Sequence, residues 1–374
     1  MVVLLVGGYT AIERGARGYY AFAPGSAPRL TASPECRASS AGADLALPDG
    51  TPCARITVPA TLSHPIQGSL YMVDVLVGRA TPAQYILSKL GLLHTFSEGT
   101  QLVPANQVLG DTPPAQLACQ DAQQMQSATS SAPVVALRHL GYQVKENNLG
   151  AQLYEIAPGS PAAAAGLRCN DIVVAVNGRP VHTANDLTAA VHASAPGEPV
   201  RITVQRAGSN GKPQTKTLTA RIGATPASVN AARAGLPFLG VVSSTRSTYT
   251  FPFDVTIDVG NIGGPSAGLA MTLATLDILS NGDLTGGHRV AATGTIGLDG
   301  TVGDVGGVAQ KAVAVRKAGA TVFLVPADEL KDAQSEAGSM KVYPVKTLQQ
   351  ALDILKSLGG HVPPATASST PAAQ

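Results

Sequence analysis

Residues Leu269 to Leu279 form a predominantly apolar run directly behind the small-residue string Gly263-Gly264-Pro265-Ser266-Ala267-Gly268. The run predicts a helix, and the glycines and proline mark where it starts. Ser266 is then expected in the first helical turn. Backbone N–H groups are unpaired at that end and can stabilise an oxyanion, which nominates Gly264, Pro265 and Ala267 as the surroundings of such a charge. A second helix carries a complementary group. Around Lys311 the string Val308-Ala309-Gln310-Lys311-Ala312-Val313-Ala314-Val315 is almost wholly apolar. A lysine there is expected to be partly desolvated, which lowers its pKa and lets it accept a proton.

Each residue also has a bland reading. Ser266 alone reads as a helix cap in a Gly/Pro turn. Lys311 alone reads as an amphipathic-helix residue whose amine reaches solvent. Together, and with Thr293 and the glycine-rich strings between them, they point to nucleophilic catalysis. A rival scheme is a Ser–His–Asp triad with His288 and Asp304 or Asp258. His288 lies in the loop-like string Thr285-Gly286-Gly287-His288-Arg289, where a lone histidine is usually just solvated.

From about Leu239 to Leu358 the chain resembles the proteolytic domain of the Lon family, which uses a Ser–Lys dyad. The resemblance rests on Gly264-Pro265-Ser266-Ala267-Gly268, Thr293-Gly294-Thr295-Ile296, Gly300-Thr301-Val302-Gly303, Gly306-Gly307-Val308-Ala309-Gln310-Lys311 and Val322-Phe323-Leu324-Val325-Pro326, in that order. It implies Ser266 as nucleophile, Lys311 as general base and Thr293 as a hydroxyl that helps hold the lysine. Many ATP-dependent Lon enzymes carry Asp three residues before the serine, where this chain has Gly263.

Upstream, residues about 134 to 222 resemble a PDZ domain. The matching pieces are Ala157-Pro158-Gly159-Ser160-Pro161-Ala162, Ala165-Gly166-Leu167 and Asp171-Ile172-Val173-Val174-Ala175-Val176-Asn177-Gly178. The residues agree physically. Ser160 can cap a short helix starting at Pro161. Ile172 to Val176 reads as a strand and Asn177-Gly178 as a tight turn. Asn185 to His192 reads as a helix, and Pro199 to Gln205 alternates as a strand. The resemblance places Leu140, Gly141 and Tyr142 in the loop that receives a peptide C-terminus, with the peptide adding as a strand beside the one that follows. Asn170 stands where a glycine is usual, next to Cys169.

The whole chain thus resembles the YlbL-like bacterial PDZ–Lon proteases. The expected fold class is α+β: an N-terminal α/β region over 1–130, a β-sandwich-like PDZ domain over 134–222, a Lon-type proteolytic domain over 236–360 and a disordered tail over 361–374. In the N-terminal region Tyr71 to Val77 reads as a strand, Thr81 to Leu93 as a helix, and Gln116 to Leu140 as a helix broken near Pro133. The Ala-rich segment from Gly223 to Gly235 reads as a semi-rigid helical linker.

Composition narrows the function. A net charge of +2 with 13% charged residues gives no footprint for nucleic acid. No Gly-x-x-x-x-Gly-Lys-Ser/Thr string occurs, so no ATPase module is expected, and no Cys-x-x-Cys or histidine cluster suggests a metal. No cofactor is expected. Val2-Val3-Leu4-Leu5-Val6 is apolar but far short of the ~20 residues that span a bilayer. It reads as a buried strand or as the tail end of a membrane anchor. The resemblance favours the anchor, and with it a cell-membrane protein whose catalytic part is extracytoplasmic. Cys36 and Cys53 flank a polar loop-like segment and suit a disulfide in an oxidising compartment. The expected substrate is a peptide or unfolded protein, and the resemblance implies a homo-oligomer, hexameric as in Lon rings. The competing class is a PDZ-based scaffold whose protease fold is inactive.

Overall fold

The computed structural model describes residues 13–31, 55–64, 66, 68–110, 113–208, 212–260, 262–280 and 283–364. The expectations for Val2 to Val6 and for the Cys36–Cys53 bond fall outside these residues, as does most of the expected disordered tail.

In chain order the elements used below begin with β1 (Tyr19–Pro24), β2 (Ser69–Tyr71), β3 (Val75–Arg79) and α1 (Pro82–Lys89). Next come β4 (Gln101–Pro104), α2 (Pro114–His139), β5 (Lys145–Ile156), α3 (Pro161–Ala164) and β6 (Ile172–Val176). They continue with α4 (Ala184–His192), β7 (Pro199–Ala207), β8 (Pro213–Arg221), β9 (Gly223–Ala224), β10 (Pro237–Phe238) and β11 (Val241–Thr250). The last part holds α5 (Gly268–Leu279), β12 (Arg289–Ala292), β13 (Thr295–Ile296), β14 (Val302–Gly303) and α6 (Val308–Lys317). It closes with β15 (Val322–Pro326), α7 (Leu330–Glu336), β16 (Lys341–Val345) and α8 (Leu348–Ser357).

The chain divides into two compact units. One holds residues 1–112, 124–144 and 251–374, the other residues 113–123 and 145–250. These boundaries differ from the expected ones, because residues 236–250 belong with the PDZ segment and the division runs inside α2.

The first unit is built on a parallel sheet in the order β16-β15-β12-β2. Alternation along the strands fills two cores. Val290, Ala292, Val322 and Leu324 face a core that takes in Leu269, Leu273 and Leu276 of α5 with Leu352 and Leu355 of α8. Ala291, Phe323 and Val325 face a second core with Val308, Ala312 and Val315 of α6 and Ala333 of α7. Every residue of α5 is buried; its polar side chains are bonded, Thr272 and Thr275 Oγ1 to Gly268 O and Met271 O, and Asp277 Oδ1 accepting from Leu284 N–H. A second sheet, β3-β1-β4, carries the N-terminal strands. Tyr19 packs on Tyr85 and Tyr20 beneath Arg79, so both tyrosines have packing roles.

Three local expectations need correction. Tyr71 to Val77 is not one strand. β2 pairs with β12 and β3 with β1, so the chain leaves one sheet for another between them. The crossing is fixed by Met72 N–H to Pro28 O, Asp74 N–H to Ser26 O and the Asp74 carboxylate, which accepts from Ser26 N–H and Oγ. Second, α2 runs through Pro133 without a break. One backbone bond is lost there, but Ala132, Val134, Val135, Ala136 and Leu137 are buried and hold the helix in place. Third, the segment from Gly223 to Gly235 is not a helical linker. β9 pairs with β10, and only Ala231–Arg233 makes a single 3₁₀ turn between them. Of the helix expected over Thr81 to Leu93, α1 covers Pro82–Lys89: it opens on a reciprocal capping box between Thr81 and Gln84 and ends at the cap Leu90.

The second unit carries a five-strand path, β8-β7-β6-β5-β11, over a core that includes Leu153, Val173, Leu187 and Ile202. Ser160 caps α3 as expected, its Oγ accepting from Ala163 N–H. Asn170 has φ +72°, which explains why a glycine can be replaced there: asparagine tolerates the left-handed region. Asp171 is buried and receives Arg206 through Nε and Nη2, both at 2.6 Å. Cys169 is bonded to Cys119 of α2, a disulfide that sequence reading missed because it joined neither residue to a partner.

Candidate active site

Ser266 lies in the turn before α5, not in its first helical turn. Ala267 is the cap and the helix begins at Gly268. The turn needs Gly264 in the left-handed region, φ +82°. It also needs Gly268, where a Cβ would stand 2.9 Å from Ile296 N. That close approach docks the head of α5 onto β13.

The segment leaving β12 grips the turn. Ser266 O accepts two hydrogen bonds, from Gly294 N–H at 2.9 Å and from Thr293 Oγ1 at 3.2 Å, and Leu269 N–H donates to Gly294 O. Thr293 is itself fixed by its N–H to Leu324 O of β15. Lys311 Nζ donates to the same Thr293 Oγ1 at 3.2 Å. The Thr293 hydroxyl therefore gives its proton to Ser266 O and receives one from Lys311. In a neutral Lys311 this leaves the amine lone pair free.

Lys311 is 3% exposed, one turn inside α6. Burial lowers its pKa to about 8, while the nearby carboxylates of Glu329 and Asp74 act to raise it. α6 is capped by Gly307, φ +67°, where a Cβ would meet Val75 at 2.8 Å. Ser266 is half-buried. Its Oγ makes no hydrogen bond among the described residues; Thr293 joins Lys311 to the Ser266 backbone carbonyl, not to Oγ. Catalytic bonds are often long or absent without substrate.

The expected oxyanion surroundings need refinement. Pro265 has no N–H, and its carbonyl accepts from Gly268 N–H. The N–H groups of Ser266 and Ala267 make no hydrogen bond among the described residues, so these two can meet a developing oxyanion. His288 contributes nothing to this cluster. Its backbone bonds to Thr285 and Ser69, and its ring makes no hydrogen bond among the described residues.

The peptide loop expected at Leu140, Gly141 and Tyr142 is committed elsewhere. Their N–H groups donate to Ala136, Arg138 and Leu137 O and close the end of α2. Tyr142 stacks edge-on to Phe253, 5.2 Å between centroids. The strand that follows, β5, is paired by β11 on one side and β6 on the other.

A different groove is open in the second unit. β11 is the edge of its sheet, and α4 lies along it, with Ala184 N–H donating to Thr245 Oγ1. A cavity of about 270 Å³ lies there, lined by Leu187 and Val191 of α4, Leu236, Phe238, Leu239 and Gly240, among others. Gly240 has φ +81°. The N–H groups of Leu239 and Gly240 make no hydrogen bond among the described residues. Two N–H groups without a partner among the described residues, an apolar cavity and an unpaired strand edge are groups that an extended chain can pair with. Sequence reading missed it, although Phe238-Leu239-Gly240-Val241 repeats the apolar-Gly-apolar pattern of Leu140-Gly141-Tyr142.

Comparison with known proteins agrees with both units. Residues 139–220 match the PDZ domain family, and residues 253–357 match the Lon protease (S16) C-terminal proteolytic domain. Lon protease 1 of Sorangium cellulosum is 35% identical over 130 residues, 34% of this chain and 16% of that protein. Lon protease 2 of Bacillus subtilis is 32% identical over 103 residues, 28% of this chain and 17% of that protein. HhoB of Synechocystis sp. is 46% identical over 57 residues, 15% of this chain and 14% of that protein. The matches to the two Lon proteases thus span about a sixth of their length. Among solved structures, the PDZ domain of an SdrC-like protein from Listeria monocytogenes is 16% identical, with a TM-score of 0.21, covering 25% of this chain and 87% of that one. The chain therefore carries a PDZ domain followed by a serine-type proteolytic domain of the Lon family.

Proposed function

We propose that this protein is an endopeptidase that cleaves peptides or unfolded proteins through Ser266, with Lys311 as general base and Thr293 as the group that aims it. The observation that carries the reading is the buried Lys311 amine bonded to the hydroxyl that also holds the Ser266 turn. Neutral Lys311 takes the Ser266 proton as Oγ attacks the scissile carbonyl. The tetrahedral oxyanion is met by the N–H groups of Ser266 and Ala267. The protonated lysine then gives its proton to the leaving amine, and water hydrolyses the acyl-enzyme by the same route.

Lys311→Arg should be inactive although it keeps the charge, because a guanidinium cannot act as the base. The assay is cleavage of an unfolded protein read by mass spectrometry, alongside fluorophosphonate labelling that Ser266→Ala abolishes. Full activity of Lys311→Arg would remove the dyad and point to another base, whereas no cleavage and no labelling by the wild type would favour the inactive-fold scaffold. The wild-type rate should rise with pH through about 8. Lys311→Met serves as a folding control. The folded pKa lies below the unfolded one, so between them the unfolded chain holds more protons and stability rises with pH. At pH 7 the charged amine destabilises the fold, so Lys311→Met should be inactive yet about 2–3 kcal/mol more stable in denaturant unfolding.

The PDZ unit is proposed to hold extended segments in the groove between α4 and β11. Without a nucleotide motif in the sequence, substrates are proposed to arrive as peptides or unfolded chains. The Cys119–Cys169 disulfide supports an oxidising, extracytoplasmic location. Among the described residues no helix is long and apolar enough to cross a membrane. A membrane anchor and a hexameric ring remain proposals drawn from the family resemblance.

A further inference from the structure

Lys311 is buried, and among the described residues its amine bonds only the Thr293 hydroxyl. Glu329 ends the single 3₁₀ turn Ala327–Glu329 behind β15 and stands at the entry to α6. Its Oε1 accepts from Val305 N–H at 2.7 Å, which ties down the Gly303-to-Gly307 loop that launches the lysine helix. Its Oε2 is buried and has no hydrogen-bond partner among the described residues. A carboxylate oxygen withdrawn from water and unpaired is costly unless a nearby cation compensates it.

We propose that Glu329 is a positioning residue for Lys311: it anchors the loop that sets the helix, and its charge determines the pH at which the amine is free to accept a proton. The inference rests on the Ser–Lys reading and adds to it a carboxylate that touches neither substrate nor nucleophile. Among the charges around Lys311, Glu329 exerts the larger attraction and Asp74, from the β2–β3 crossing, the smaller. Glu329 is itself pushed upward, mainly by burial and further by Asp304 before α6 and Asp332 on α7. β15 brings no titratable side chain to α6, and β1 brings only tyrosines. Arg316 and Lys317 at the far end of α6 pair with Glu98. Glu329 thus keeps the amine charged to higher pH than burial alone would allow.

The test is the pH–rate profile of peptide cleavage. Glu329→Gln keeps an oxygen for Val305 N–H and removes the charge. Its activity limb should move down by about half to one pH unit, so that the rate at pH 7 rises about two- to fivefold. Glu329→Asp keeps the charge and shortens the reach, so its limb should stay near the wild-type position even if its rate falls. A Glu329→Gln limb that overlays the wild-type one, or a limb that Glu329→Asp moves equally, would overturn the inference and leave the dyad intact. Failure of the dyad itself would instead appear as an active Lys311→Arg. Thermal melting of both Glu329 variants separates a shift in the limb from a loss of folded protein.

Discussion

Two turns in this protein share a sequence pattern and a backbone shape but not a use. Leu140-Gly141-Tyr142 and Leu239-Gly240-Val241 each set a glycine between apolar residues, with φ +83° at Gly141 and +81° at Gly240. In the first, all three N–H groups end a long helix. In the second, the N–H groups of Leu239 and Gly240 have no partner among the described residues and lie beside an apolar cavity, while their carbonyls are taken by Ala162 and Ala157. A left-handed glycine makes a concave row of donors in either place. Whether those donors are spent on the protein or offered to a ligand depends on what precedes them. Before Leu140 stands a helix with orphan carbonyls, and before Leu239 stands a short strand with none to spare.

The comparison breaks first at Gly240. A valine there would need φ +81° and would put its Cβ 2.3 Å from Ser160 Cβ, at the cap of α3. Gly240→Val should destabilise the second unit by about 3 kcal/mol or more and remove peptide binding. Calorimetry and fluorescence polarisation with a labelled C-terminal peptide would read both. A variant that still binds would mean the receptor lies elsewhere. The ligand side is milder. Amidating the peptide C-terminus removes a charge from the two free donors and should weaken binding about ten- to hundredfold. Equal affinity for acid and amide would show that only the strand edge is used. The smallest effect belongs to the first turn. Gly141→Ala should cost about 1 kcal/mol of stability through its positive φ, with peptide affinity unchanged. A loss of affinity there would restore the 140–142 loop as a receptor and erase the contrast between the turns.

Much of the proposed active site was legible in the sequence because its parts are local. The Gly/Pro turn, the apolar helix behind it and the lysine inside an apolar helix each follow from composition and spacing. Thr293 came from family resemblance, and the structure adds what it touches on both sides. The features that stayed hidden depend on long-range neighbours. The Cys119–Cys169 bond joins residues from a helix and a turn that no pattern connects. Glu329 reads as one acidic residue in a charged stretch until the buried Oε2 and the bond to Val305 are seen. The split of Tyr71 to Val77 into two strands arises because two sheets compete for one extended segment.

The sequence by itself determined that this chain would bury two apolar helices, one headed by Ser266 and one carrying Lys311, and that a PDZ segment would precede them. The two helices follow from their apolar runs and the Gly/Pro punctuation around them, and the PDZ segment from its resemblance to that family. Tertiary structure alone decided that Ser266 would stand before its helix rather than in it, that Thr293 would bridge it to Lys311, and that the free donors would be those of Leu239 and Gly240. The reason is the same in each case. A backbone N–H or a buried amine must find some partner, and which partners remain is settled only when distant strands have claimed theirs.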